Sequence, residues 1–408
     1  MTAVYWRLFA LDALIARDGR PFGMQQGNRM RGYPWLMPSV LAGAFRTAIG
    51  RHWGQDFSNI AAQLQQIGVA GGFPVADDQL LLPAPHDAVA EPLPGDEHGR
   101  PKTLYRVQPQ AMRELEGANF PFAGLRPVML SEAQSQREFK PAKLPAWWPM
   151  NKLSEWLANS HQERYDASWF TRSFLYPPLQ EVRDHVSLKP ESGAAEENKI
   201  FTTANLHINL LRRYPERPEA PHTGDPVGYA QQYAEIQLAL CTQIPAACAS
   251  IPEDLWQPVG GEQRLVRWRR ETSAEMWHCP PALRTPLASA RRVRMVLATP
   301  AIFRDGWKPG WLDAQGMGCP PGCGVRLKLV GVSIERWKAV SGWSLQPLPG
   351  SNKPGPKPIR RTVPAGGVYF FEVQEGDAAS LAEMWLQSVC DDDQERRDGF
   401  GLAVWGLW

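Results

Sequence analysis

Apolar and polar positions alternate from the start of the chain. Across residues 3–15, Val4, Trp6, Leu8 and Ala10 fall on one face by period two, and Tyr5, Arg7 and Phe9 on the other, which predicts a strand. The period then changes. Leu41, Phe45, Ile49 and Trp53 recur every four residues behind Pro38, whose fixed φ and missing N–H suit a first helical turn, and Gly54 offers a stop. The chain therefore opens as strand, loop (16–37) and helix. Further along, residues 185–208 read as two extended arms around a Gly/Ala/Glu-rich turn, a long hairpin. Residues 233–244, 291–303 and 367–376 read as strands, 151–160 and 378–392 as helices, and 399–408 as a glycine-punctuated terminal strand. Residues 83–110 and 140–149, rich in Pro, read as loop or insertion, and 215–226 as a linker.

Both halves mix strands with a few helices, and no fixed-period repeat appears. The expectation is α+β: two domains with mainly antiparallel sheets, 1–214 and 215–408. The 408 residues, 43% of them hydrophobic, can build a substantial core. The 17 Trp leave core packing, subunit contact and base stacking all open. A net charge of +2 says little, but its distribution says more. Eight Arg stand between Arg264 and Arg294 against Glu271 and Glu275, and nine acids between Glu372 and Asp398 against Arg396 and Arg397. Such asymmetry suits a subunit with different partners on different faces, or two solvated faces. The apolar stretch at the N-terminus is broken by Arg7 and Asp12 and lacks a signal-peptide pattern. No run reaches the ~20 apolar residues of a spanning helix. The cysteines show no disulfide-framework spacing, so a cytoplasmic protein with reduced thiols and no membrane segment is expected.

Four stretches could carry chemistry. The loop "ARDGRPFGMQQGNRMRGYP" interleaves Arg17, Arg20, Arg29 and Arg31 with Phe22, Tyr33 and four glycines. Guanidinium forks match phosphate, and aromatics offer stacking faces, the composition of a single-stranded nucleic-acid groove. An ordinary solvated surface loop has the same composition. The hairpin block carries His185, Lys189, Phe201, Thr202 and Thr203. A His and a Lys beside RNA could serve metal-free cleavage or merely bind phosphate. Cys319 and Cys323 in "CPPGC", with His278 and Cys279, are zinc-ligand types, but their spacing departs from structural-zinc patterns, so no metal site is assigned. Gly399 and Gly401 in "RDGFGLAV" approach, without matching, the aromatic strand motif of RNA-recognition sheets. There is no G-x-x-x-x-G-K-[ST], H-E-x-x-H, G-x-S-x-G or G-x-G-x-x-G signature, which removes support from the common ATPase, zincin and hydrolase readings.

"RDGRPFG" (17–23), "PSVLAGAFRTAIG" (38–50), "IFTTANL" (200–206), "VGGEQRLVRW" (259–268), "ATPAIFRDGW" (298–307), "GPKPIRRTVPAGGVYFFE" (355–372) and "GFGLAVWGLW" (399–408) appear in one order. Together they resemble the third subunit of the Cmr effector, the type III-B CRISPR complex, within the RAMP superfamily. The resemblance implies two ferredoxin-like (RRM-like) domains with a protruding β-hairpin. It implies a non-catalytic subunit, without cofactor, that holds the 5′ handle of the CRISPR RNA. Its neighbours would be the large polymerase-like subunit and a backbone RAMP subunit, with target RNA nearby. The RNA-binding residues implied are Arg17, Arg20, Phe22, Arg29, Arg46, His185, Lys189, Phe201, Thr202, Gly399 and Gly401. Arg46 would reach phosphate or pair with an acid. Two other readings stand beside this one: a metal-independent endoribonuclease of the same superfamily, with His185 as acid or base, and a protein scaffold without specific RNA contact.

Overall fold

A computed structural model describes residues 1–18, 28–54, 56–94, 100–112, 119–135, 138–215, 232–245, 251–344, 353 and 355–408. The opening alternation forms the strand Thr2–Ala10 and the four-residue period forms the helix Pro38–His52. The strand lies inside a seven-stranded sheet. Its order is Asp254–Pro258, Leu265–Glu271, Thr2–Ala10, Gln237–Ile244, Gly68–Ala76, Gln79–Pro83 and Trp147–Pro149, with every neighbour antiparallel. Register places Trp6 opposite Leu240, and Leu8 between Leu238 and Trp268. Phe45, on the helix's apolar stripe, meets the rings of Trp6 at 5.2 Å and Trp268 at 5.5 Å.

A second sheet of six strands runs Met317–Gly318, Arg326–Ser333, Val368–Glu375, Arg292–Leu297, Leu402–Leu407 and Gln387–Ser388, again antiparallel throughout. Met295 sits between Tyr369 and Trp405 at its centre, all three buried. One apolar cluster runs continuously through both sheets. Most of the tryptophan surface is used there: Trp6, Trp148, Trp156, Trp268 and Trp405 are fully buried.

Three expectations change. The first sheet takes Gln237–Ile244 and Leu265–Glu271 from beyond residue 215, so the expected division at 214/215 cuts through that sheet. A proline-rich composition marks an insertion between sheet strands as readily as a linker between domains. Residues 83–110 hold strands Ala88–Pro92 and Pro101–Arg106, which join Arg164–Asp166 in a small sheet. The helix expected over 378–392 shrinks to Ser380–Glu383: Leu386 takes φ +54° and Gln387–Ser388 pairs with Leu402–Ala403, so sheet pairing overrides the helical period. The expected hairpin is present as Gln180–Leu188 and Ala195–Leu206.

Candidate nucleic-acid interface

The arginine-rich loop has a narrow neck. Arg17 bridges to Gly32, Asp18 N–H donates to Arg31 C=O at 2.9 Å, and Tyr33 N–H to Ala16 C=O at 2.8 Å. Arg17 is exposed at this neck. The returning limb then joins the hairpin. Asn28–Arg29 runs parallel to Phe201–Thr202, and Met30 N–H donates to Thr202 C=O at 2.9 Å. On the other limb, Leu14 and Leu206 exchange two backbone bonds of 2.9 and 2.7 Å. Ile15, Met30 and Ala204 form a small buried cluster beneath the junction. Stretches about 170 residues apart are thereby laced into one ledge at the hairpin base.

Along the hairpin, directly opposed residues share a face. The His185 ring stacks on Phe201, 5.0 Å between centroids and 11° between planes, and its Nε2 lies 2.8 Å from Thr203 Oγ1. Thr202 Oγ1 donates to Asp184 Oδ1 at 2.6 Å on the other face. Lys189 stands exposed where the first arm ends. Near the base, Glu181 accepts two 2.8 Å bonds from Arg183 and lies 2.8 Å from His207 Nε2. The Arg183 hydrogen bonds, then His207, push its carboxyl down to about 2. Outward along one face stand Val182, Val186, Leu188 and Ile200, apolar and exposed.

The implied residues divide. Arg17, Phe201, Thr202, His185 and Lys189 belong to the ledge and its hairpin, and Arg29 takes the register position beside Thr202. Arg20 and Phe22 lie outside the described residues. Arg46, Gly399 and Gly401 lie elsewhere. Arg46 donates to Asp398 at 2.5 Å, to Ile67 C=O at 2.7 Å and to Arg397 C=O at 3.1 Å, so of its two expected roles it takes the ion pair. Gly399 (φ +84°) is buried where a Cβ would stand 2.4 Å from Val69 C=O, and Gly401 (φ +66°) where a Cβ would stand 2.6 Å from Cys390 Sγ. These glycines admit protein backbone and a protein thiol at close range. Among the described residues, no three His, Cys, Asp or Glu come together as metal ligands. Cys279 is buried, and Cys323 sits 3.6 Å from Ser380 Oγ.

A cleft of about 910 Å³ opens beyond the loop, with Trp35 on one wall and Tyr176, just ahead of the hairpin, on another. The Arg212 guanidinium lies 4.6 Å over Tyr176, and His86 and Lys338 also line the cleft. Sequence reading passed over this wall, because Trp35 stands between Pro34 and Pro38 and Tyr176 stands just ahead of Pro177 and Pro178, with no periodic signal around either. As built, the site offers exposed cations, ring faces and backbone groups. The His185 nitrogen that faces the hairpin is already engaged by a hydroxyl. No helix among the described residues is long and apolar enough to cross a membrane.

Residues 6–408 match the family described as CRISPR-associated protein (Cas_Cmr3). No curated protein matches. Among solved structures, the chain is similar to one in the cryo-EM structure of the type III-B Cmr-beta bound to cognate target RNA. That alignment has a TM-score of 0.45 at 10% identity and covers 90% of this chain and 86% of that one. The same assembly with target RNA and AMPPnP gives 0.41 at 9%, covering 90% and 86%. A chain of the Csm3-Csm4 subcomplex in the type III-A CRISPR-Cas interference complex gives 0.31 at 10%, covering 92% and 94%.

Proposed function

The chain belongs to the Cmr3 family of CRISPR-associated proteins, a family of type III-B Cmr subunits, and from that premise we propose that it is a non-catalytic RNA-binding subunit that holds the 5′ handle of the CRISPR RNA. The observation that carries this reading is the ledge: the arginine-rich loop returns onto the hairpin strand at Phe201–Thr202. Phosphates run along the guanidinium groups while bases are offered ring faces and backbone polar groups. Its partners are the large polymerase-like subunit and a backbone RAMP subunit, with target RNA beyond the hairpin.

The same reading takes the two sheets as paired ferredoxin-like units. Numbering by chain order, strands 2–10, 68–76, 237–244 and 265–271 stand in the sheet as 4-1-3-2, and so do 292–297, 326–333, 368–375 and 402–407. That order, all antiparallel, is the split βαβ arrangement. The division between the units then falls between Glu271 and Arg292 rather than at 215.

The test is binding of purified chain to labelled RNA with and without its repeat-derived handle. Handle RNA binds more tightly, and Arg17→Ala lowers the salt dependence by about 0.7 in slope for each phosphate contact removed. Equal affinity for handle and scrambled RNA would defeat handle recognition. Cleavage of repeat RNA in EDTA, lost in His185→Ala, would defeat the non-catalytic assignment.

A further inference from the structure

Among the described residues, two tryptophans stand exposed with an arginine laid over the ring, and their electrostatic settings differ. Trp256, 53% exposed, has the Arg267 guanidinium 5.6 Å from its centroid, but Asp254 accepts from Arg267 Nε at 2.9 Å and neutralises it. Trp337, 47% exposed, has Arg361 at 4.8 Å, and among the described residues no acid pairs with that guanidinium. The second stack also sits in denser positive charge. Arg336 and Lys338, which flank Trp337, are exposed without an ion pair among the described residues, and so is Lys357 further along the flap, where its N–H donates to Gly342 C=O. The adjacent acid, Glu335, lies 3.9 Å from His86.

This cationic patch is a small flap on the second half of the chain. Lys338–Val340 and Arg360–Thr362 pair antiparallel, Ala339 opposite Arg361. The flap is fastened to the neck of the arginine-rich loop, where Tyr33 Oη donates to Ala339 C=O at 2.9 Å. Tyr33 is itself buried and closes the neck of the loop, so the neck and the flap are neighbouring surfaces.

We propose that the flap is a second single-stranded RNA contact, in which Trp337 stacks one base, Arg361, Arg336 and Lys338 hold the phosphates beside it and Lys357 holds one further along. The inference rests on the RNA-binding reading above and extends its path onto the second half of the chain. An indole keeps much of its ring available beside a stacked guanidinium, and base–aromatic stacking tolerates any base. Backbone charge on RNA complements a patch with four cations and one acid.

The experiment measures fluorescence anisotropy of the full chain with an RNA beginning in its repeat-derived handle. Trp337→Ala weakens binding by between about 5-fold and about 150-fold, the range of one lost stacked base. Trp337→Phe retains most of the affinity, which separates stacking from misfolding. Arg361→Ala lowers the salt slope by about 0.7, and Trp256→Ala leaves binding unchanged. Wild-type affinity in Trp337→Ala, with a loss in Arg17→Ala, overturns the flap contact and leaves handle binding standing. Wild-type affinity in both variants overturns both. RNA affinity kept in Trp337→Ala but assembly with an acidic neighbouring subunit lost would make the flap a protein contact and overturn the proposal.

Discussion

Arg46 and Arg17 carry the same side chain and differ in exposure. Arg46 is nearly buried, its side chain 12% exposed, and is shared between Asp398, Ile67 and Arg397. Arg17 stands exposed at the neck of the loop. A buried partner takes a guanidinium out of reach of an external anion, so the two separate in experiment. Arg46→Ala leaves the buried Asp398 carboxylate without its cation, with the Gln394 amide still donating to it, and costs on the order of 3–5 kcal/mol of stability. It leaves handle affinity of the folded fraction unchanged. Thermal melts and anisotropy on the same preparation check this, and a wild-type melting temperature with lost RNA binding would put Arg46 back on the RNA path. The residue sequence shows the guanidinium but not what it meets: "AFRTAIG" and "RDGFG" do not announce that they touch. Gly399 and Gly401 follow the same logic. Their positive φ is needed, and the neighbours that need it are protein.

The hairpin and the loop become one object through a few backbone bonds. One of these is Met30 N–H to Thr202 C=O, and Met30→Pro removes that donor together with the side chain that packs on Ile15 and Ala204. We expect this substitution to loosen the ledge and weaken handle binding while the hairpin's own pairing persists. Hydrogen exchange would show faster exchange at residues 28–31 with the Val182–Ala204 pairing retained, and unchanged RNA affinity would show that the junction does not matter. The elements with a long, clean period were readable in advance: Thr2–Ala10, Pro38–His52, Met150–Ala158, Gln237–Ile244, Val368–Glu375 and the hairpin arms. What escaped was set by partners distant in sequence. Ser380–Glu383 stops early because Gln387–Ser388 pairs with the terminal strand. The strands within 83–110 were hidden by prolines that the last position of an edge strand (Pro92) and the first position of a strand (Pro101) tolerate. The parallel pairing of Asn28–Arg29 with Phe201–Thr202 has no signal in either segment. The loop and hairpin were thus recognisable separately as candidates, and their union was not.

Across the whole chain, the six-stranded sheet is tied by a charge arrangement to the segment that carries the small sheet and the helix Met150–Ala158. Arg294 and Asp87 are fully buried and paired, and Arg106 is 1% exposed beside them, its Nη2 donating to Trp156 C=O at 2.7 Å. Burial first, then the neighbouring Arg294 charge, pushes the Arg106 guanidinium down to about 9. Two buried cations thus share one buried carboxylate, with the Trp156 ring 4.2 Å from the Arg106 guanidinium. Removing the carboxylate in Asp87→Ala leaves both cations uncompensated and costs at least about 3–5 kcal/mol, whereas Arg106→Met is close to neutral or stabilising. Denaturant unfolding ranks the pair, and the reverse ranking would mean that Arg106 carries the contact. The ledge and the flap meet more directly, through the Tyr33 hydroxyl on Ala339 C=O. The most direct measurement is photo-crosslinking of the assembled effector, with 4-thiouridine placed in the first nucleotides of the CRISPR RNA and the attached peptides identified by mass spectrometry. Crosslinks are predicted in residues 17–33 and 199–206; handle crosslinks confined to other surfaces of this chain, or to other subunits, would contradict the grip by loop and hairpin.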